Sequence, residues 1–191
     1  KVLDIVKLKI PSHLLLKFKK LHIGQFPGMK EREIQAMYKN GNIYITNELE
    51  DNNDMLDDII HEIAHSVEDL YSDILYSDDK IKKEFLKKRL ALKKSLENNQ
   101  ISTDKYDFLN PDYDIKFDNL LYKKIGYDKL RPITVGLFYS PYGSTSLTEY
   151  FANGFEAFFM KEELSILKSV SPVLYRKLET ITNMELMKNE I

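Results

Sequence analysis

His61-Glu62-Ile63-Ala64-His65 lies within Asp54-Met55-Leu56-Asp57-Asp58-Ile59-Ile60-His61-Glu62-Ile63-Ala64-His65-Ser66-Val67-Glu68-Asp69-Leu70-Tyr71. Leu56, Ile59, Ile60, Ile63, Val67 and Leu70 recur at three- and four-residue steps, which predicts a helix from about Met55 to Tyr71 with one buried stripe. The acidic group Asp54, Asp57 and Asp58 falls where a helix N-terminus favours negative charge. Residues four apart share a helix face and are about 6 Å apart along the axis. Two imidazoles so spaced reach a single Zn²⁺ at about 2.0–2.1 Å. Glu62, one residue on, points toward the open side of such a metal. A carboxylate there can take the proton of a metal-bound water as it attacks a peptide carbonyl. The competing reading is a chance match, with both histidines as plain core or surface residues. Context favours the metal, because both histidines flank the buried stripe. The other two histidines, His13 and His22, have no partner at ligand spacing and read as incidental.

A catalytic zinc takes three protein ligands and keeps one open position. The chain has no cysteine, so the third ligand must be a carboxylate or another histidine. Glu149 is the best candidate, in Ser146-Leu147-Thr148-Glu149-Tyr150-Phe151-Ala152-Asn153-Gly154-Phe155-Glu156. The apolar face of this predicted helix (Leu147, Tyr150, Phe151, Phe155, Phe158, Phe159) would press it on the histidine helix. Ser146-x-x-Glu149 is also a capping box, which would turn the carboxylate back to the Ser146 N–H. Glu156 is a rival acid, and spacing does not choose among these readings.

Around these two segments, the composition sets limits. The chain has 191 residues, 43% of them hydrophobic, with 7 Gly and 6 Pro, which suits a single domain over residues 1–191 with a real core. A net charge of -2 lacks the basic excess that bulk nucleic-acid affinity requires. The missing cysteines exclude disulfides, thiolate metal sites and cysteine nucleophiles. No apolar run is long enough to span a membrane. A chain opening on Lys1 reads as a processed product. Val2–Ile10 is expected to be a strand, Ser12 to cap a helix running to Leu21, and Gly24–Gly28 to be a loop. Glu31–Tyr38 is expected to be a short helix stopped by Asn40-Gly41, and Asn42–Asn47 a strand. Asp79–Gln100 reads as a Lys/Leu-rich surface helix with Phe85, Leu86, Leu90 and Leu96 on one side. Ile101–Lys129 reads as loop with short helical pieces, Ile133–Tyr139 as a strand, and Pro141-Tyr142-Gly143-Ser144 as a turn. Helices are expected over Leu147–Lys161 and Val173–Thr182.

Tyr142-Gly143-x-Thr145-x-x-x-Glu149-Tyr150-Phe151-Ala152, following His61-Glu62-x-x-His65-x-Val67-Glu68-Asp69, resembles the catalytic region of the anthrax lethal factor family, which includes the secreted clostridial Pro-Pro endopeptidases. Leu167-Lys168-Ser169-Val170-Ser171-Pro172-Val173-Leu174-Tyr175 is similar to the family's closing segment. The resemblance covers roughly residues 42–71 and 139–182. It implies an α+β, zincin-like metalloprotease domain, mostly helical with a small sheet. It further implies one Zn²⁺ held by His61, His65 and Glu149, water activation by Glu62, and oxyanion stabilisation by Tyr142. A secreted, toxin-type, monomeric endopeptidase acting on a peptide or protein would follow. Such proteases commonly bind substrate along a sheet edge, which points to Ile43, Tyr44 and Ile45 as substrate-binding residues. The sequence departs from the family in two ways. Asn153 stands where a second acid is usual, followed by the helix-weakening Gly154. Residues from about 72 to 130 look like an insertion. The rival readings are a catalytically inactive zincin-like module that binds or delivers, although such copies usually lose the histidines kept here, and an intracellular housekeeping zinc peptidase.

Overall fold

The computed structural model describes residues 1–30, 34–49, 51–160 and 164–188. The chain is mostly helical with a small sheet, an α+β arrangement.

Val2–Lys9 forms helix α1, not a strand. Val2, Val6 and Ile10 recur at helical spacing, and Val6 and Ile10 are buried. That four-residue period overrides the partial alternation. Ile10 turns extended (φ -108, ψ 125) because Pro11 follows it. The next helix is only a single 3₁₀ turn, Ser12–Leu15, with Pro11 at its cap position and Ser12 already inside it. The chain then extends into strand β1, Lys20–Ile23, because pairing in the sheet outweighs the local apolar pattern.

The short helix expected before Asn40-Gly41 is strand β2, Ala36–Lys39, while residues 31–33 lie outside the described residues. Asn40 (φ 52) and Gly41 (φ 86) form a two-residue hairpin turn into β3, Asn42–Ile45. A Cβ on Gly41 would lie 2.8 Å from the Lys17 carbonyl oxygen, so this position needs glycine for both conformation and space. The sheet order is β1-β3-β2, with β1 parallel and β2 antiparallel to β3. β3 is therefore the central strand and not an edge. Ile43 and Ile45 point into the core at 0% exposure, while Tyr44 stacks on His22 at 4.8 Å on the other face. The placement of Ile43, Tyr44 and Ile45 on a substrate-facing edge is thus corrected: the free edge beside the histidine helix belongs to β2.

Helix α2, Asn52–Tyr76, starts at Asp51, whose carboxylate accepts from the N–H groups of Asn53 (2.6 Å) and Asp54 (3.0 Å). Leu56, Ile59, Ile60, Ile63 and Val67 are buried as the stripe predicts. The helix kinks at Tyr71 (φ -114, ψ 16), where the apolar period ends, and continues. Helix α3, Lys80–Asn98, buries Phe85 and Leu96 as expected, but Leu90 is exposed, and Lys88 and Arg89 face the interior. Helix α4 (Ile115–Asn119), a π-turn (Leu120–Ile125) and helix α5 (Tyr127–Thr134) follow. The strand expected at Ile133–Tyr139 is instead the end of α5 and a turn. The Thr134 hydroxyl bonds back to the Leu130 carbonyl (3.0 Å), and Gly136 (φ 75) redirects the chain. A 3₁₀ turn at Tyr142–Ser144 leads into helix α6 (Leu147–Met160). Helices α7 (Leu164–Val170), unforeseen in the sequence, and α8 (Pro172–Lys188) close the chain.

α2 packs most extensively on α6. Gly154 has a packing reason, since a Cβ there would meet Leu174 Cδ2 of α8 at 2.3 Å. Among the described residues no helix is long and apolar enough to cross a membrane.

Candidate metal centre

Two helices and one turn build the site. α2 supplies His61 and His65 one turn apart on its α6-facing side, and Glu62 beside them. α6 supplies Glu149 in its first turn and Glu156 two turns on, and the 3₁₀ turn supplies Tyr142. The imidazole rings stand 5.3 Å apart, nearly perpendicular at 79°. His61 Nε2 is 3.0 Å from Glu149 Oε2, and His65 Nε2 is 3.8 Å from Glu149 Oε1. One donor atom each of His61, Glu62 and His65 lies within 4.8 Å of the others, a group that could hold a metal ion.

The capping box is half used. Ser146 Oγ accepts from the Glu149 N–H at 3.1 Å, while the Glu149 carboxylate turns to the histidines. The Tyr142 phenol lies near enough to the same carboxylate to lower its pKa. Tyr142 lies with its ring 6.0 Å from that of His61. Burial first, then the charge of Glu149, raises the Tyr142 pKa far above the usual value, so the phenol stays a neutral donor.

The rear nitrogens of both histidines face acids that the motif reading does not assign this task. His61 Nδ1 is 3.2 Å from Glu156 Oε2, and His65 Nδ1 is 3.7 Å from Glu68 Oε2. Glu68 is itself held by the Tyr76 hydroxyl. A carboxylate behind an imidazole fixes its tautomer and aims Nε2 forward. The sequence offers a signal for each, since Glu68 is three residues past His65 and Glu156 seven past Glu149, both on the same helix face as the ligand candidate. Asn153 accepts a hydrogen bond from Ser140 and braces the turn that presents Tyr142.

Glu62 is 8% exposed. Burial raises its pKa, against the pull of His65, of His61 and of the nearby Tyr38 backbone amide. A raised carboxylate pKa suits a group that must accept and then return a proton. The Thr46 N–H to Gln35 carbonyl bond (2.8 Å) puts the groups of residues 35, 37 and 39 toward β3. The N–H and C=O of Ala36 and Tyr38 therefore lie on the outer edge, next to Glu62.

The charge balance favours a cation. Asp58, Glu62, Glu68, Glu149 and Glu156 gather around two histidines. Burial first raises Asp58 to about 6, His61 opposes this, and Glu62, Glu156 and Asp57 add to it. Its Oδ2 is buried with no hydrogen-bond partner among the described residues. Burial lowers the pKa of His61, yet its bonds to Glu149 and Glu156 win and raise it to about 10. His65 is raised in the same way by Glu68 and Glu149. Burial opposes ionisation of Glu149, but His61, His65 and Tyr142 hold its pKa below the usual value. Such a surplus of carboxylate draws protons onto the imidazoles, and a divalent ion answers the same demand with one centre. Two imidazole Nε2 atoms and a carboxylate are borderline donors of the kind zinc takes. The other two histidines are occupied elsewhere: His13 Nε2 meets the Ile181 carbonyl at 2.8 Å, and His22 Nε2 meets Asn42 Oδ1 at 3.3 Å. Comparison of the chain with protein-family models, curated proteins and solved structures finds no match.

Proposed function

We propose that the chain is a zinc-dependent endopeptidase related to the anthrax lethal factor family, with a zincin-like domain. The observation that carries this reading is the meeting of His61, His65 and Glu149 across α2 and α6, with Glu62 and Tyr142 beside them. His61, His65 and Glu149 would hold the ion through Nε2, Nε2 and a carboxylate oxygen. Zinc bound there supplies Lewis acidity toward a carbonyl and lowers the pKa of a water to about 7.

The residues of the chain do the rest. Glu62, buried and with a raised pKa, takes the proton of the attacking water and passes it to the leaving amine. The Tyr142 hydroxyl, beside His61, donates to the oxygen that gains charge in the transition state, which favours that state over the ground state. Glu156 and Glu68 keep both imidazoles in the tautomer that faces the ion. An extended peptide adds along the outer edge of β2 near Tyr38 and Glu62, where main-chain groups supply affinity.

Glu62→Gln is expected to retain one zinc per chain while hydrolysis of a peptide library falls about 10²- to 10⁴-fold. A Glu62→Gln protein that cleaves like the parent overturns the mechanism. A parent chain that purifies without zinc and cleaves nothing when zinc is added favours a binding module.

A further inference from the structure

Arg89 is 1% exposed and ranks among the largest fully buried side chains of the protein. It shares the inward stripe of α3 with Phe85, Leu92 and Leu96. Its hydrogen bonds go to backbone carbonyls. Nη1 donates to Ser144 (2.9 Å) and Thr145 (3.2 Å), and Nη2 donates to Asp107 (3.2 Å). The guanidinium lies 3.7 Å from the Phe117 ring centroid, with Phe85 and Phe108 at 5.4 and 5.7 Å. Burial lowers its pKa to about 10, against Asp107 and Asp114, so it remains charged at neutral pH. A buried cation is costly, and an apolar residue would fill the space more cheaply. Only a planar fork of donors joins two successive carbonyls and a third from another segment while stacking on a ring.

The two successive carbonyls end the turn that begins at Tyr142. Thr145 bonds back to the Tyr142 carbonyl through N–H (3.0 Å) and Oγ1 (2.8 Å), so the turn is closed on itself. The next residue, Ser146, caps α6 at Glu149. The other end of the turn is held at Ser140 by Asn153.

We propose that Arg89 is a positioning residue for Tyr142, acting through the carbonyls of Ser144 and Thr145, so that the segment between His65 and Glu149 frames the site. This rests on the reading of Tyr142 as oxyanion donor.

The test uses the full chain with zinc and a peptide that the parent cleaves. Arg89→Lys is expected to bind one zinc and keep KM within about two-fold, while kcat falls about 10- to 100-fold. In a Tyr142→Phe background the same change should cost about two-fold or less, since both substitutions remove one interaction. An equal loss in both backgrounds, or an unchanged kcat, overturns the proposal. A readout free of activity is the ¹⁹F resonance of 3-fluorotyrosine placed at position 142. Arg89→Lys should shift or broaden it and leave a label at Tyr44 unmoved. An unmoved resonance at 142 overturns the proposal whether or not the parent is a peptidase, whereas a parent lacking peptidase activity sinks only the functional reading. If Arg89→Lys does not fold, Phe117→Leu removes the ring beneath the guanidinium and keeps the charge. It should move the same resonance and lower kcat by a smaller factor, and no change there overturns the proposal.

Discussion

At the scale of single residues, helical spacing alone brings His61 and His65 to one face with Glu62 beside them, so these three are legible in one dimension. Glu149 is legible only as a choice between cap and ligand, because the direction of its carboxylate depends on a helix far off in sequence. Glu156 is less legible still. Its contact with His61 Nδ1 spans 95 residues, and in sequence it reads as a rival ligand. The geometry assigns it a different task, since it meets the nitrogen that faces away from Glu149. Glu156→Ala is therefore expected to keep one zinc per chain but weaken zinc affinity about 10- to 100-fold, as loss of a carboxylate behind a ligating imidazole does. Glu149→Ala should abolish stoichiometric binding. Competition against a chromophoric chelator measures both. Reversed outcomes for the two variants would exchange their roles.

At the scale of elements, α2, α3 and α6 follow from apolar period, and the errors fall where a short segment takes its form from a partner. Lys20-Leu21-His22-Ile23 alternates polar and apolar, but over four residues only, which the preceding Leu-rich run masks, and β3 makes it a strand by pairing in parallel. Asn40-Gly41 is the stronger signal in its region: flanked by apolar alternation, it favours a hairpin over a helix stop, because both residues tolerate positive φ. The same turn gives the element-scale prediction. Gly41 has φ 86, and a Cβ there would meet Lys17 O at 2.8 Å and Lys19 Cδ at 2.9 Å. Gly41→Ala should cost about 1–3 kcal/mol, the range for a residue forced into left-handed backbone with a clash. Urea unfolding checks this, and a loss under about 0.5 kcal/mol would mean that the hairpin relaxes freely.

Across the whole molecule, the site is a joint between two halves of the chain. α2 belongs to the half that holds the sheet, and α6 to the half stapled by α8. Glu84 ties that second half together: it accepts from the Val173 N–H (2.9 Å), the Leu174 N–H (3.1 Å) and the Tyr150 hydroxyl (2.9 Å). An ion held by His61, His65 and Glu149, as proposed, would link helices from both halves and would bind the folded chain far better than the unfolded one, where the three ligands are apart. Free zinc at a thousand times its dissociation constant then adds about 4 kcal/mol, or about 8–16 °C in Tm for a chain of this size. Differential scanning calorimetry with zinc and with excess chelator measures the difference. The control is Glu149→Ala, whose Tm should not respond to zinc. If the parent melts at the same temperature in zinc and in chelator, the carboxylates around His61 and His65 are balanced by protons instead, and the joint is an ion-pair network rather than a metal centre.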